Sequence, residues 1–152
     1  MDLLKPEDVK YIVVHCSDTR PTQVVDAETI DFWHRGRGFE CIGYHYVILS
    51  NGVIELGRDL VYKGAHAIGY NSNSIGVCYI GGRDEQGCYS DTRTYAQKVS
   101  LLYTFGLILR RFPNVSEIIG HNDISVKACP CFDARKAYSQ FITNYKQSFN
   151  YV

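Results

Sequence analysis

The chain has 152 residues with 45% hydrophobic and 13% aromatic content, the size and apolar fraction of one globular domain with a single core. Sixteen basic residues balance sixteen acidic ones, so no net field holds the chain on nucleic acid and no nucleic-acid partner is expected. No stretch reaches membrane-spanning length, and Met1-Asp2-Leu3-Leu4-Lys5 lacks the basic flank and apolar run of a signal peptide, so a soluble chain made in the cytoplasm is expected. In that reducing compartment Cys16, Cys41, Cys78, Cys88, Cys129 and Cys131 are expected as free thiols or metal ligands rather than a disulfide framework.

The β-branched run from Tyr11 to His15 predicts a buried strand with His15 at its C-terminal end. Asp26 to His34 predicts a short helix, with Ile30, Trp33 and His34 at helical spacing and Gly36 and Gly38 after it. Tyr44 to Leu49 and Val53 to Leu56 flank Ser50-Asn51-Gly52, a hairpin signal. Gly64 to Asn73 is too polar and glycine-rich for regular structure and reads as a long loop before a strand at Ser74 to Ile80. Thr94 to Phe112 predicts the longest helix, with Tyr95, Val99, Leu102, Phe105 and Leu109 at helical spacing. A brief strand at Glu117 to Gly120 precedes His121, and Asp133 to Ser148 predicts an amphipathic C-terminal helix using Ala137, Phe141 and Tyr145. Strands alternating with helices, plus one hairpin, predict a single α/β domain over residues 1–152, with a mixed central sheet flanked by helices.

The chemistry concentrates after the last strand, where His121, Lys127 and Cys129 occupy a loop-like stretch. Imidazole nitrogen and thiolate are both good zinc ligands, and seven intervening residues let His121 and Cys129 meet round one ion. A third ligand must come from elsewhere, and His15 at its strand end is better placed than His34, His45 or His66. Strand alternation sends His15 and Cys16 to opposite faces, so one of that pair can join the site. Three protein ligands leave a tetrahedral zinc one open position, where water has its pKa lowered to about 7, the makings of a hydrolytic centre.

Six motifs occur in order between about Tyr11 and Asp133: Val14-His15-Cys16-Ser17, Gly43-Tyr44-His45-Tyr46, Gly64-Ala65-His66, Gly69-Tyr70-Asn71, Asn73-Ser74-Ile75-Gly76-Val77 and Lys127-Ala128-Cys129-Pro130. Together they resemble the type 2 N-acetylmuramoyl-L-alanine amidases, which include small phage lysozymes of amidase type and peptidoglycan recognition proteins. The resemblance implies a Zn2+ ion on His15, His121 and Cys129 at one edge of the sheet, with Tyr44 and Lys127 as catalytic partners. It implies a peptidoglycan substrate cut at the amide between muramic acid and L-alanine; a monomer that acts on the wall after release or export is expected. His66 and Asn71 are implied to line the muropeptide groove, the alternative being that they cap or brace the long loop. His34 and His45 read as structural, and Asp123 or Asp133 as a brace for a ligand histidine. Two other functions fit the same motifs. One is a recognition module that binds muropeptides without cleaving them; the other is a structural zinc with Cys131 as fourth ligand.

Overall fold

The computed structural model describes residues 1–149; the last three of the expected 1–152 span lie outside the described residues. Five strands form one mixed sheet: β1 (Tyr11–Cys16), β2 (Tyr46–Ile48), β3 (Ile54–Leu56), β4 (Ser74–Tyr79) and β5 (Glu117–Gly120), in the order β3-β2-β4-β1-β5. β1 runs parallel to β4 and β5, β2 runs parallel to β4, and only β3 is antiparallel to its neighbour β2. The hairpin turns at Gly52, whose φ of +87° suits a residue without a Cβ. Its amide closes the turn on the Leu49 carbonyl at 2.8 Å.

The sheet is covered on both faces, which is why its parallel strands read as continuous apolar runs rather than as alternation. On one face Ile12, Val14 and Cys16 of β1 and Ile75, Val77 and Tyr79 of β4 pack under Leu101, Phe105 and Ile108. On the other, Val47, Cys78 and Ile80 meet Ile30 and Ile42. Ile30 belongs to α1 (Ala27–Gly36), whose N-terminus is capped by Asp26 accepting from the Thr29 amide at 2.8 Å. His15 points to this second face, opposite Cys16, as strand alternation requires.

The long helix α2 (Tyr95–Arg111) starts at a capping box of Thr94 and Gln97. Its buried face is Gln97, Leu101, Thr104, Phe105, Ile108 and Leu109, and not the expected stripe. Phe105 and Leu109 are shared, but Tyr95, Val99 and Leu102 are 84%, 51% and 43% exposed. A polar residue holds a core position here: the Gln97 amide donates to the Ile48 and Ile80 carbonyls at 3.1 and 2.9 Å. The C-terminal segment also departs from expectation, forming two helices, α3 (Ala134–Ala137) and α4 (Phe141–Ser148), in place of one. Between them Tyr138 is held inward, its ring 4.8 Å from that of Phe105 and its hydroxyl accepting from Arg93 at 2.7 Å. Ala137 consequently lies exposed, while Ala134 and Tyr138 are buried.

Candidate active site

Pairing of β1 with β5 sets the site. Val14 is in register with Gly120, so His15 and His121, the next residue in each strand direction, emerge side by side at the C-terminal ends of these strands. Their rings lie 4.6 Å apart between centroids. The loop after the His121–Asp123 turn then folds back over the end of β1. It is anchored by the buried Tyr79 hydroxyl, which donates to the Pro130 carbonyl at 2.7 Å. This brings the Cys129 sulfur 3.8 Å from Nδ1 of His15, and the Cys16 amide donates to the same sulfur at 3.2 Å.

The ligand atoms of His15, His121 and Cys129 all lie within 4.8 Å of one another. A tetrahedral zinc with bonds of about 2.0 Å to nitrogen and 2.3 Å to sulfur needs such donors roughly 3.5 Å apart, so the set fits that ion after a small contraction. Among the described residues the group holds three donors. Cys131 turns away, its sulfur 3.9 Å from that of Cys16 on the opposite side of β1, so it does not complete a four-ligand structural site.

Burial holds His15 well below the usual histidine range, with smaller depressions from His66, His121 and the Lys127 ammonium. Burial, then Lys127, does the same to His121. Neutral imidazoles with free lone pairs are the form a metal requires. The half-buried Tyr44 ring lies 4.9 Å from that of His15 and 5.4 Å from that of His34, and burial pushes its phenol well above the ordinary value. Tyr44 therefore stays protonated at neutral pH, with a hydroxyl proton available beside the three-donor group. His34 accepts from the Gly43 amide at 2.9 Å and so sets the backbone that carries Tyr44. His45 accepts from the Gly76 amide at 3.0 Å, the structural role expected of it.

Neither aspartate braces His15 or His121. Asp123 accepts from the Gly120 amide at 2.8 Å, and Asp133 caps α3 through the Lys136 amide at 3.0 Å. The bracing partner of His15 is His66, whose Nδ1 lies 2.8 Å from Nε2 of His15. Asn71 accepts from the amides of His66 and Ala67 at 2.9 and 3.0 Å, which ties the 64–73 loop to itself. The His15–His66 contact had a readable trace in the sequence, the glycines of Gly64-Ala65-His66 and Ser74-Ile75-Gly76, which clear space for a ring.

A family model described as N-acetylmuramoyl-L-alanine amidase matches residues 5–132. The chain belongs to that amidase family. An endolysin of Enterobacteria phage T3 is 42% identical over 125 residues, covering 82% of each protein. An endolysin of Escherichia phage T7 is 40% identical over 130 residues, covering 86% of this chain and 85% of the relative. Among solved structures, the N-acetylmuramoyl-L-alanine amidase LysC from Clostridium intestinale URNW superposes with a TM-score of 0.78 at 25% identity, over 95% of this chain and 91% of LysC. Drosophila PGRP-LB shares the fold, with a TM-score of 0.74 at 20% identity over 91% of this chain and 83% of that one. The amidase is thus an α/β enzyme of peptidoglycan, and no helix among its described residues is long and apolar enough to cross a membrane.

Proposed function

We propose that the amidase cuts the bond between N-acetylmuramic acid and L-alanine with one zinc ion held by His15, His121 and Cys129. The observation that carries this reading is the converging group of three donors, two imidazoles and one sulfur, with the Tyr44 ring packed against one of them. When bound at three protein ligands, zinc supplies a Lewis acid with an open position and lowers the pKa of water there to about 7. Tyr44, protonated and half-buried, orients the attacking water or the addition product by donating a hydrogen bond. Lys127 is exposed, yet close enough for its charge to depress both His15 and His121, which suits it to stabilise the oxyanion developing at the attacked carbonyl. His66 is buried and Asn71 braces its loop, which supports a role in holding the site over direct contact with the muropeptide.

The endolysin relatives support action on the cell wall after release or export. Digestion of purified peptidoglycan, with assays for both kinds of new chain end, tests the reading. New alanine amino groups without new reducing sugars are expected, because glycosidases usually depend on two flanking carboxylates and this site presents none among its three donors. New reducing ends would overturn it. Tight muropeptide binding with no cleavage would instead make the domain a recognition module.

A further inference from the structure

A line of hydrogen bonds runs from the ligand group into the sheet and ends on the backbone. Nε2 of His15 lies 2.8 Å from Nδ1 of His66, Nε2 of His66 lies 3.2 Å from the Ser74 hydroxyl, and that hydroxyl lies 2.6 Å from the Tyr70 carbonyl oxygen. All three side chains are buried. We infer that His66, oriented by Ser74, is a positioning residue that fixes the tautomer and ring orientation of His15 and so leaves Nδ1 of His15 free to bind the metal. The inference rests on the zinc-ligand reading of His15 given above.

The direction of the line follows from its last member. A backbone carbonyl can only accept, so the Ser74 proton goes to Tyr70, and the Ser74 oxygen is left to accept from His66. A neutral imidazole carries one proton, so with Nε2 of His66 donating to Ser74, its Nδ1 holds a lone pair facing His15. His15 then carries its proton on Nε2 and presents the Nδ1 lone pair on the side of Cys129, 3.8 Å away. Proton placement at the ligand is therefore set by a carbonyl two side chains away.

The fold also prevents His66 from moving out of line. A Cβ on Gly76 would sit 2.7 Å from its ring, and one on Gly64 would overlap the ring's Cδ2, so the imidazole fills a slot that only two glycines leave open. The backbone amide of His66 is held by Asn71 at 2.9 Å. Fixing the second nitrogen of a ligand histidine in this way typically strengthens metal affinity roughly 10-fold to 100-fold.

The test uses the full chain with and without zinc. In metal-free protein, two-dimensional 1H–15N spectra of the imidazoles should show His15 as the Nε2–H tautomer, and His66→Ala should shift it toward a mixture of both. Chelator competition should show zinc held roughly 10-fold to 100-fold more weakly in His66→Ala. His66→Asn, whose carboxamide oxygen can stand near the Nδ1 position, should restore most of that affinity. Should His66→Ala fail to fold, Ser74→Ala, which leaves both rings in place, should weaken zinc binding in the same direction. An unchanged His15 tautomer, or zinc affinity within twofold of the parent in both His66→Ala and Ser74→Ala, would overturn the inference. Because the tautomer is read without metal, its failure is distinguishable from a failure of the zinc-ligand reading, which would show as no zinc bound by the unaltered chain.

Discussion

Cys129 and Cys131 lie two positions apart in the chain and reach different surroundings. The Cys129 sulfur accepts from the Cys16 amide and faces His15, whereas the Cys131 sulfur faces that of Cys16 behind the strand. Cys129→Ser should therefore lose the stoichiometric zinc measured by metal analysis, while Cys131→Ser keeps one zinc per chain. The reverse pattern would move the ligand role to Cys131. Tyr44→Phe and Lys127→Ala remove donors without removing a ligand, so both should fold and retain zinc while turnover on peptidoglycan falls roughly 100-fold to 1000-fold. Rates near the parent in both variants would reduce these residues to packing. The convergence of His15, His121 and Cys129 was readable in the sequence through the six ordered motifs, because a histidine at a strand end and a His–Cys pair in one loop are by themselves a weak signal. The brace on His15 left only an indirect trace, the glycines that make room for the His66 ring, because the contact itself depends on the register that brings β4 beside β1 and on a ring carried by an irregular loop.

At the scale of elements, α2 shows why apolar spacing misplaced a helix face. Two stripes of apolar residues run along it, and the fold buries the one interrupted by Gln97. That residue serves three groups at once. Its amide nitrogen donates to the Ile48 and Ile80 carbonyls, and its oxygen accepts from the Thr94 amide at 3.0 Å. Gln97→Leu matches the apolar pattern better but leaves the Ile80 carbonyl and the helix start without these partners. A loss of about 2 kcal/mol is expected. For a domain of this size that lowers the thermal midpoint by roughly 4–8 °C with zinc stoichiometry unchanged, measurable by calorimetry. A midpoint equal to or above that of the parent would show that packing outweighs the buried amide. The hairpin and the places of the strands were readable because their signals are local, though β2 is shorter than expected, Tyr46–Ile48 against Tyr44 to Leu49, and leaves Tyr44 outside the strand. Insertion of β4 between β1 and β2 was not, since parallel pairing across long crossovers leaves no local mark.

At the scale of the whole molecule, all five histidines are held below their ordinary pKa, chiefly by burial. The unfolded chain takes up protons on them as pH falls below about 6.5, while the folded chain does not until a lower pH. The unfolded state thus binds more protons in that window, so stability is full above pH 6.5 and declines as pH falls through it. His45 makes the case without touching the ligand group, because its pKa is lowered to about 4 and its Nδ1 accepts from the Gly76 amide in the middle of the sheet. Between pH 6.5 and 4 this one residue removes up to about 3 kcal/mol. Urea unfolding of the metal-free protein at pH 7, 6 and 5 should show a falling midpoint. His45→Asn, which keeps an acceptor for Gly76 but cannot take up a proton, should show a shallower fall. Equal midpoints across that range in the parent would mean that the histidines titrate alike in both states, against the burial that the fold imposes on them. Zinc should steepen the dependence in the native chain, because His15 and His121 must stay unprotonated to bind it and bound metal stabilises only the folded form.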